Sequence, residues 1–317
     1  MNTTFANASS TPFAIEAVVD QPASVGTPID WAHVELPDAW ADRVDWTHLP
    51  DVRRVLRTIL GRERQRVQLP DDLPGRALIP KYVLQEFHNL PNGNYSKSFS
   101  RGYSQGFDRF MLGSLRGGRQ RVAEALRGAD CALDLGCGAG RQAAALRDVG
   151  IGEVWGLDPS PYLLQNAARA HSGITWVQGV AERTGLADGQ FDAVAVCFVF
   201  HEIPPHYLRQ ALAELARVTR PGARLAVLEP SPLQWTASYQ WLWRQYGWRG
   251  MYYRALAKRA YEPFADAWHR QDFAMLLAEA GFTLLEEETG CPFRFFLAQR
   301  DPNATAVHSP STSMDKS

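Results

Sequence analysis

Residues 131–140, CALDLGCGAG, set Gly136, Gly138 and Gly140 directly after an apolar run that carries Asp134. Backbone without side chains can turn sharply and approach a ligand closely, and a helix starting there offers free N–H groups and a positive dipole end. This is a nucleotide-type loop. A dinucleotide fingerprint wants glycine at the sixth position, for close helix–strand packing, and here that position is Arg141. The phosphate-loop pattern fails too, because no Lys-Ser or Lys-Thr pair follows. The next apolar run, EVWGLD, ends in Asp158, a carboxylate at a strand tip that can accept hydrogen bonds from both hydroxyls of a ribose. Together the turn and the acid imply a nucleoside without a pyrophosphate.

Two further groups of residues could do chemistry. His201 and Glu202 follow the apolar run FDAVAVCFVF, and an imidazole with an unperturbed pKa of about 6.5 can serve as a general base; the same histidine can equally cap or pack against the next helix. Cys197 and Phe198, at the end of that run, are read as shaping a ligand pocket. The second group is the stretch QWTASYQWLWRQYGWRGMYYR. Between Ser231 and Tyr261 it carries Arg244, Arg249, Arg254, Lys258 and Arg259 with no Asp or Glu. Trp235, Tyr239, Trp243 and Tyr246 fall on one helical face. Three readings stand: a packed lid or dimer contact with solvated arginines; a pocket for a lipophilic acceptor, with Trp243 and Tyr246 as wall and Arg244 and Arg249 on an anionic head; or an interfacial membrane or RNA contact.

The elements that must position these residues follow from the pattern. From 131 onward short apolar runs alternate with amphipathic helices, which implies an α/β chain with a parallel sheet and helices on both faces. Leu208, Leu212, Leu215 and Val218 mark the buried stripe of one helix, and Gly150 and the pair Pro221-Gly222 stop the first and last helices. Residues 29–119 are expected to form an N-terminal helical cap and a cofactor-covering segment, 120–300 the main domain, and 231–270 a helical substrate lid after the fifth strand. Residues 1–28 and 301–317, rich in Ala, Ser, Thr and Pro, are expected to be a disordered arm and tail.

Composition narrows the partners. The chain has 317 residues, 45% hydrophobic and 21% charged, with a net charge of -1. That balance exerts no global pull toward nucleic acid or anionic membrane. The four cysteines are scattered singly, without metal or redox spacing, so they read as reduced thiols and no metal is expected. The start lacks a signal-peptide pattern, and no apolar run approaches the roughly 20 residues of a membrane span. A cytoplasmic protein is expected, with peripheral membrane contact and oligomeric state left open.

The successive segments ALDLGCGAGR, VWGLDPSPYLL, FDAVAVCFVFHEIPP and LARVTRPGARLAVLEP resemble the ordered motifs of class I S-adenosylmethionine-dependent methyltransferases, in the small-molecule branch that includes ubiquinone-type enzymes. The resemblance covers roughly residues 120–300. It implies a Rossmann-like seven-stranded sheet whose last strand, CPFRFFLAQ after GFTLLEEET, is antiparallel, and S-adenosylmethionine as cofactor. Asp134, Gly136, Gly138 and Gly140 would surround its methionine portion, with Asp158 and Pro159 at the ribose and Cys197 in the pocket wall. The family's Asp-Ala pair at the adenine edge is replaced by Val180-Ala181-Glu182, so the contact would come from the Ala181 backbone or the Glu182 side chain. Tyr95, Arg101 and Tyr103 would cover the cofactor and meet its carboxylate. The segment 90–119 is also similar to that of bacterial enzymes that methylate hydroxy fatty acids to signalling methyl esters.

The expected activity is therefore methyl transfer to a small lipophilic acceptor, at oxygen, either a fatty acid carboxylate or a quinone-type phenol. A phenol needs a base and a carboxylate does not. RNA or protein methylation, and a cofactor-binding regulator without turnover, are the alternatives. The overall charge favours no nucleic acid partner.

Overall fold

In a computed structural model of the chain, residues 27–303 are described; the expected terminal arm and tail lie almost entirely outside them. The described strands are β1 (Cys131–Leu135), β2 (Glu153–Asp158), β3 (Thr175–Gln178), β4 (Phe191–Cys197), β5 (Thr219–Pro230), β6 (Phe282–Thr289) and β7 (Phe293–Arg300). They form one sheet in the order β3-β2-β1-β4-β5-β7-β6. β1 to β5 run parallel, and β7 is antiparallel to both β5 and β6. The seven-stranded sheet with its antiparallel last strand is as expected.

The helices are α1 (Leu49–Ile59), α2 (Lys97–Phe110), α3 (Ser114–Ala125), α4 (Arg141–Asp148), α5 (Pro161–Ala170), α6 (Pro205–Val218), α7 (Leu233–Thr236), α8 (Tyr239–Arg259), α9 (Ala265–His269) and α10 (Phe273–Glu279). Strand side chains alternate between two cores, as a period of two requires. Leu133, Leu135, Val194 and Val196 pack with the α6 stripe and with Leu276 and Leu277 of α10. Ala132, Ala193 and Ala195 face Val122 of α3, Leu146 of α4 and Leu164 of α5 on the other side. β1, buried along its whole length, is the axis of the molecule.

Strand order reverses between β1 and β4, since the chain moves from β1 toward β2 and β3 and then crosses back to β4. A sheet of this kind opens a crevice at such a switch point, outside the carboxyl ends of the strands. Gly136 and Phe198 stand on its two lips, directly after β1 and β4. No helix of the described residues is long and apolar enough to cross a membrane.

Several expectations need correction. Pro221-Gly222 does not end α6. That helix stops at Val218, where the Thr219 hydroxyl donates to the Leu215 carbonyl at 2.6 Å, and Pro221-Gly222 already belongs to β5. β4 ends at Cys197 rather than Phe200, because Phe198 adopts φ +61° and turns the chain. The segment 90–119, with little apolar periodicity, nevertheless folds as α2 and α3; the Ser96 hydroxyl caps α2 by accepting from the Phe99 N–H. Trp235 lies on the separate helix α7, whereas Tyr239, Trp243 and Tyr246 keep helical spacing on α8 before its break at Gly247, so the expected face of four loses Trp235.

The close packing of β2 on β3 gives a direct test. A Cβ on Gly156 would lie 2.4 Å from Cζ3 of Trp176 and 3.1 Å from Sγ of Cys137. Gly156→Val is expected to lower the unfolding free energy in urea by about 1–3 kcal/mol, the usual cost of overpacking; an unchanged midpoint would contradict this packing.

Candidate active site

The glycine turn is shaped by lack of room as well as by conformation. Gly136 has φ +67°, and a Cβ on it would sit 2.4 Å from Cγ2 of Val199. The turn is held by carboxylates. Asp158 accepts from the Gly138 N–H at 2.9 Å through Oδ2 and from the Ser160 N–H at 2.8 Å through Oδ1. Burial pushes its carboxyl up to about 6 against the pull of those two donors. Each oxygen keeps a further lone pair for a ligand hydroxyl. Asp134 accepts from the Ala143 N–H at 2.8 Å, near the start of α4, while its Oδ1 is buried with no hydrogen-bond partner. Burial raises Asp134 to about 8.

Two adjoining cavities open above these groups, and both are lined by Asn94, Gly136, Asp158, Phe198 and Glu202. The first extends over Asp134, Gly138 and Cys197 to Arg119 and Arg141. Both arginines bond the same Asp108 oxygen, each at 2.6 Å, so this end carries two cations for one anion. Burial alone would raise Asp108, but the guanidinium groups hold its carboxyl below the usual range. The second cavity runs past Pro159 to Val180, Ala181 and Ile203, roofed by Tyr82, Phe87 and Tyr95.

A chain of rings closes the space between the cavities and α8. Tyr103 stacks on His88 with centroids 5.3 Å apart and meets Phe107 at 4.7 Å, and Phe107 meets Phe198 edge-on at 6.3 Å. Behind Phe198 lies a buried acid–base cluster. Glu229, at the end of β5, accepts from the N–H groups of Val199 and Phe200 and pairs with Nδ1 of His201 at 2.6 Å. His88 Nε2 lies 3.4 Å from Glu202 Oε1 and 3.7 Å from Glu262 Oε1.

The chain is similar to known proteins over this same region. A family model described as a methyltransferase domain matches residues 133–227. A demethylmenaquinone methyltransferase of Beutenbergia cavernae is 36% identical over 138 residues, which are 43% of this chain and 56% of that protein. A demethylmenaquinone methyltransferase of Paenarthrobacter aurescens is 31% identical over 192 residues, 56% of this chain and 72% of that one. An uncharacterized methyltransferase of Synechocystis is 31% identical over 157 residues, 49% of this chain and 68% of that one. The chain belongs to the S-adenosylmethionine-dependent methyltransferases. It spans little more than half the length of the Beutenbergia relative.

Of the residues singled out from sequence, the methyltransferase fold brings Asp134, Gly136, Gly138, Asp158, Pro159, Ala181, Cys197, Tyr95, Tyr103 and Glu202 to the cavity walls. Gly140 stands just behind, at the start of α4 with φ +80°. Arg101 is exposed and lines neither cavity, because it points off the outer face of α2. Glu182 is also absent from the walls; it accepts from the Tyr82 hydroxyl at 2.9 Å, which leaves the Ala181 side of the turn facing the cavity.

His201 requires the largest correction. It is fully buried, lines neither cavity, and is committed to Glu229. Burial would pull the imidazole down, yet the Glu229 charge and hydrogen bond, helped by Glu262 and Glu202, push it up to about 9. It therefore holds a proton at neutral pH instead of waiting to receive one. Glu202, raised to about 8 by burial and by Glu262, Glu229 and Asp158 against the pull of His201, is the member of the pair that reaches the cavities.

The arginine-rich helix also departs from expectation. Trp243, Arg244 and Arg249 are exposed, Tyr246 is half-buried, and none lines either of the two cavities. The break at Gly247 turns Tyr252 and Tyr253 inward, where their hydroxyls donate to the carbonyls of Phe110 and Met111 at 2.6 and 3.0 Å. α8 thus packs on the junction of α2 and α3, outside the ring chain. Sequence reasoning missed Arg119, Asn94, Tyr82, Phe87 and His88, and used Arg141 only to exclude a dinucleotide. Arg141 stands at the first position of the helix after the turn, a place that aims a cation at the turn's ligand.

Removing the partner of a buried charge leaves that charge uncompensated. His201→Ala is expected to cost about 3–5 kcal/mol of stability in denaturant titration; a loss below about 1 kcal/mol would contradict the pairing with Glu229.

Proposed function

We propose that this methyltransferase methylates a small lipophilic acceptor of the quinol or phenol class, at oxygen. The observation that carries the reading is the ring chain of Tyr103, Phe107 and Phe198, which lines the cavities with flat aromatic faces, with His88 stacked on Tyr103. Such an enclosure suits a planar, apolar molecule and leaves little passage for a polymer. The relatives named demethylmenaquinone methyltransferases support the same class.

In this reading residues 120–300 form the catalytic domain, covered by 29–119. The bound cofactor supplies an electrophilic methyl group on a sulfonium. The groups around its cavity fit it: a glycine cradle that a side chain would fill, a buried unpartnered oxygen on Asp134, and two arginines sharing one carboxylate. Asp158 takes the ribose hydroxyls, Arg119 and Arg141 the methionine carboxylate, and the Ala181 turn the adenine edge. Tyr103, beside Glu202, excludes water. Glu202, in its ionised form, accepts the hydrogen bond of the acceptor hydroxyl, orients it for in-line transfer and takes its proton as the oxygen bonds the methyl group and displaces the sulfonium as a thioether.

An anionic acceptor headed by a carboxylate is less well served. Arg244 and Arg249 stay in solvent, and in this reading Arg119 and Arg141 are taken by the cofactor's own carboxylate. The expected outcome is that Arg244→Ala and Arg249→Ala leave the acceptor KM unchanged; a severalfold rise in either would restore the anionic-head pocket. Asp158→Asn is expected to weaken S-adenosylhomocysteine binding by about tenfold or more, through loss of a charged acceptor. Wild-type affinity should fall as pH drops below about 6, because protonation of Asp158 removes the carboxylate that receives the hydroxyls. Flat affinity from pH 7 to 5 would contradict that role.

The acceptor itself is tested by incubating the chain with labelled cofactor and, in parallel, a demethylated quinol, a long-chain hydroxy fatty acid and total RNA, then weighing the products. Label on a quinol oxygen supports the proposal. Label on the fatty acid, on RNA or on a quinol carbon overturns it, and tight cofactor binding without any product returns the non-catalytic reading.

A further inference from the structure

We propose that His88, His201 and Glu262, with Glu202 beside them, form a site for one divalent transition-metal cation of the zinc class at the rear of the acceptor cavity. One ligand atom from each of His88, His201 and Glu262 lies within 4.8 Å of the others. Glu262 Oε1 is 4.0 Å from His201 Nε2 and 3.7 Å from His88 Nε2, and Glu202 Oε1 is 3.4 Å from His88 Nε2. Ligand atoms on a tetrahedral ion with bonds of about 2.0–2.1 Å stand about 3.3 Å apart, so side-chain shifts of about 1 Å or less close the set onto an ion.

Three independent features point to a cation. First, His201 Nε2, which faces Glu262 Oε1, is buried without a hydrogen-bond partner, and so is the other Glu262 oxygen, Oε2. His201 is wholly buried, so water does not meet its free nitrogen. Second, the other nitrogen of His201 is held by Glu229 at 2.6 Å, and that carboxylate is fixed in turn by the backbone N–H groups of Val199 and Phe200. A carboxylate behind an imidazole is how metal-binding histidines are oriented; the second nitrogen carries a proton while no ion is bound, and a metal binding there would displace that proton. Third, Glu202, Glu229 and Glu262 crowd around two imidazoles, an excess of acid that a divalent cation would balance. Two imidazoles with carboxylate oxygens suit zinc and its neighbours better than calcium or magnesium, which prefer oxygen alone. Glu202, a quarter exposed, is the side of the site that faces the cavities.

Spacing in the sequence gives no hint of this site. Its residues come from the turn before α2, from the turn after β4 and from the link between α8 and α9, and no two of them sit at a ligand-motif interval. The expectation of no metal was drawn from the scattered cysteines, which take no part in this cluster.

The test titrates metal-depleted full-length chain with ZnCl2 by calorimetry and with CoCl2 by visible absorption. Wild type is expected to bind one Zn²⁺ per chain and to give the absorption of a four- or five-coordinate Co²⁺. His88→Ala and Glu262→Gln should each weaken Zn²⁺ binding at least tenfold and abolish the Co²⁺ band, with far-UV circular dichroism unchanged. Glu262→Gln preserves volume, so it carries the test if His88→Ala does not fold. No saturable binding by wild type overturns the proposal. Equal affinity in wild type and Glu262→Gln also overturns it, since the metal would then be held elsewhere.

Discussion

Buried carboxylates at the carboxyl tips of the parallel strands hold the working edge of this protein in place. A carboxylate taken out of water is tolerated only when hydrogen bonds replace its hydration. Here backbone N–H groups of the following loops supply them. Asp134 at the end of β1 binds the N–H of Ala143 at the start of α4. Asp158 at the end of β2 binds Gly138 in the turn after β1 and Ser160 before α5. Glu229 at the end of β5 binds Val199 and Phe200 in the turn after β4. In two of the three cases the carboxylate of one strand fixes the loop of its neighbour. The crevice at the switch point is therefore tied together across strands, and its shape does not depend on any one loop holding itself.

The same edge is electrostatically divided. At one end Arg119 and Arg141 converge on Asp108, two guanidinium groups on one carboxylate beside the glycine turn. At the other, Glu202, Glu229 and Glu262 surround His201 and His88. Phe198, forced to φ +61° between β4 and the buried histidine, separates the two regimes, with its ring against Phe107, His201 and Phe293. In the proposed reading a ligand carboxylate would be drawn to the first end and a neutral hydroxyl to the second, giving cofactor and acceptor opposite orientations in adjoining cavities.

What the sequence disclosed was local. The strands of the core, the glycine turn and Asp158 depend on short apolar runs, bare backbone and an acid at a strand tip, all readable within a few residues. The walls were not readable in that way. The wall residues Tyr82, Phe87 and Asn94, and His88 stacked on Tyr103, come from a segment of short turns with no period, where packing against the distant Tyr207 and Tyr103 decides placement. α2 begins where little apolar pattern exists, because a cap at Ser96 and contact with α5 stabilise it. The aromatic stretch misled because one helical period was taken to run from Trp235 to Tyr246, whereas the backbone is extended at Ala237 and Ser238 between α7 and α8. His201 drew attention as a titratable group after a strand, and only the position of Glu229, at the end of the neighbouring strand, shows it to be paired.

The most direct measurement is a crystal structure of the chain soaked with S-adenosylhomocysteine. The account predicts ribose hydroxyls on the two Asp158 oxygens, the amino acid end over Gly136 and Gly138 facing Arg119 and Arg141, and the thioether turned toward Phe198 and Glu202. Density for the nucleoside away from Asp158, with the cavity above the glycine turn holding only water, would contradict it.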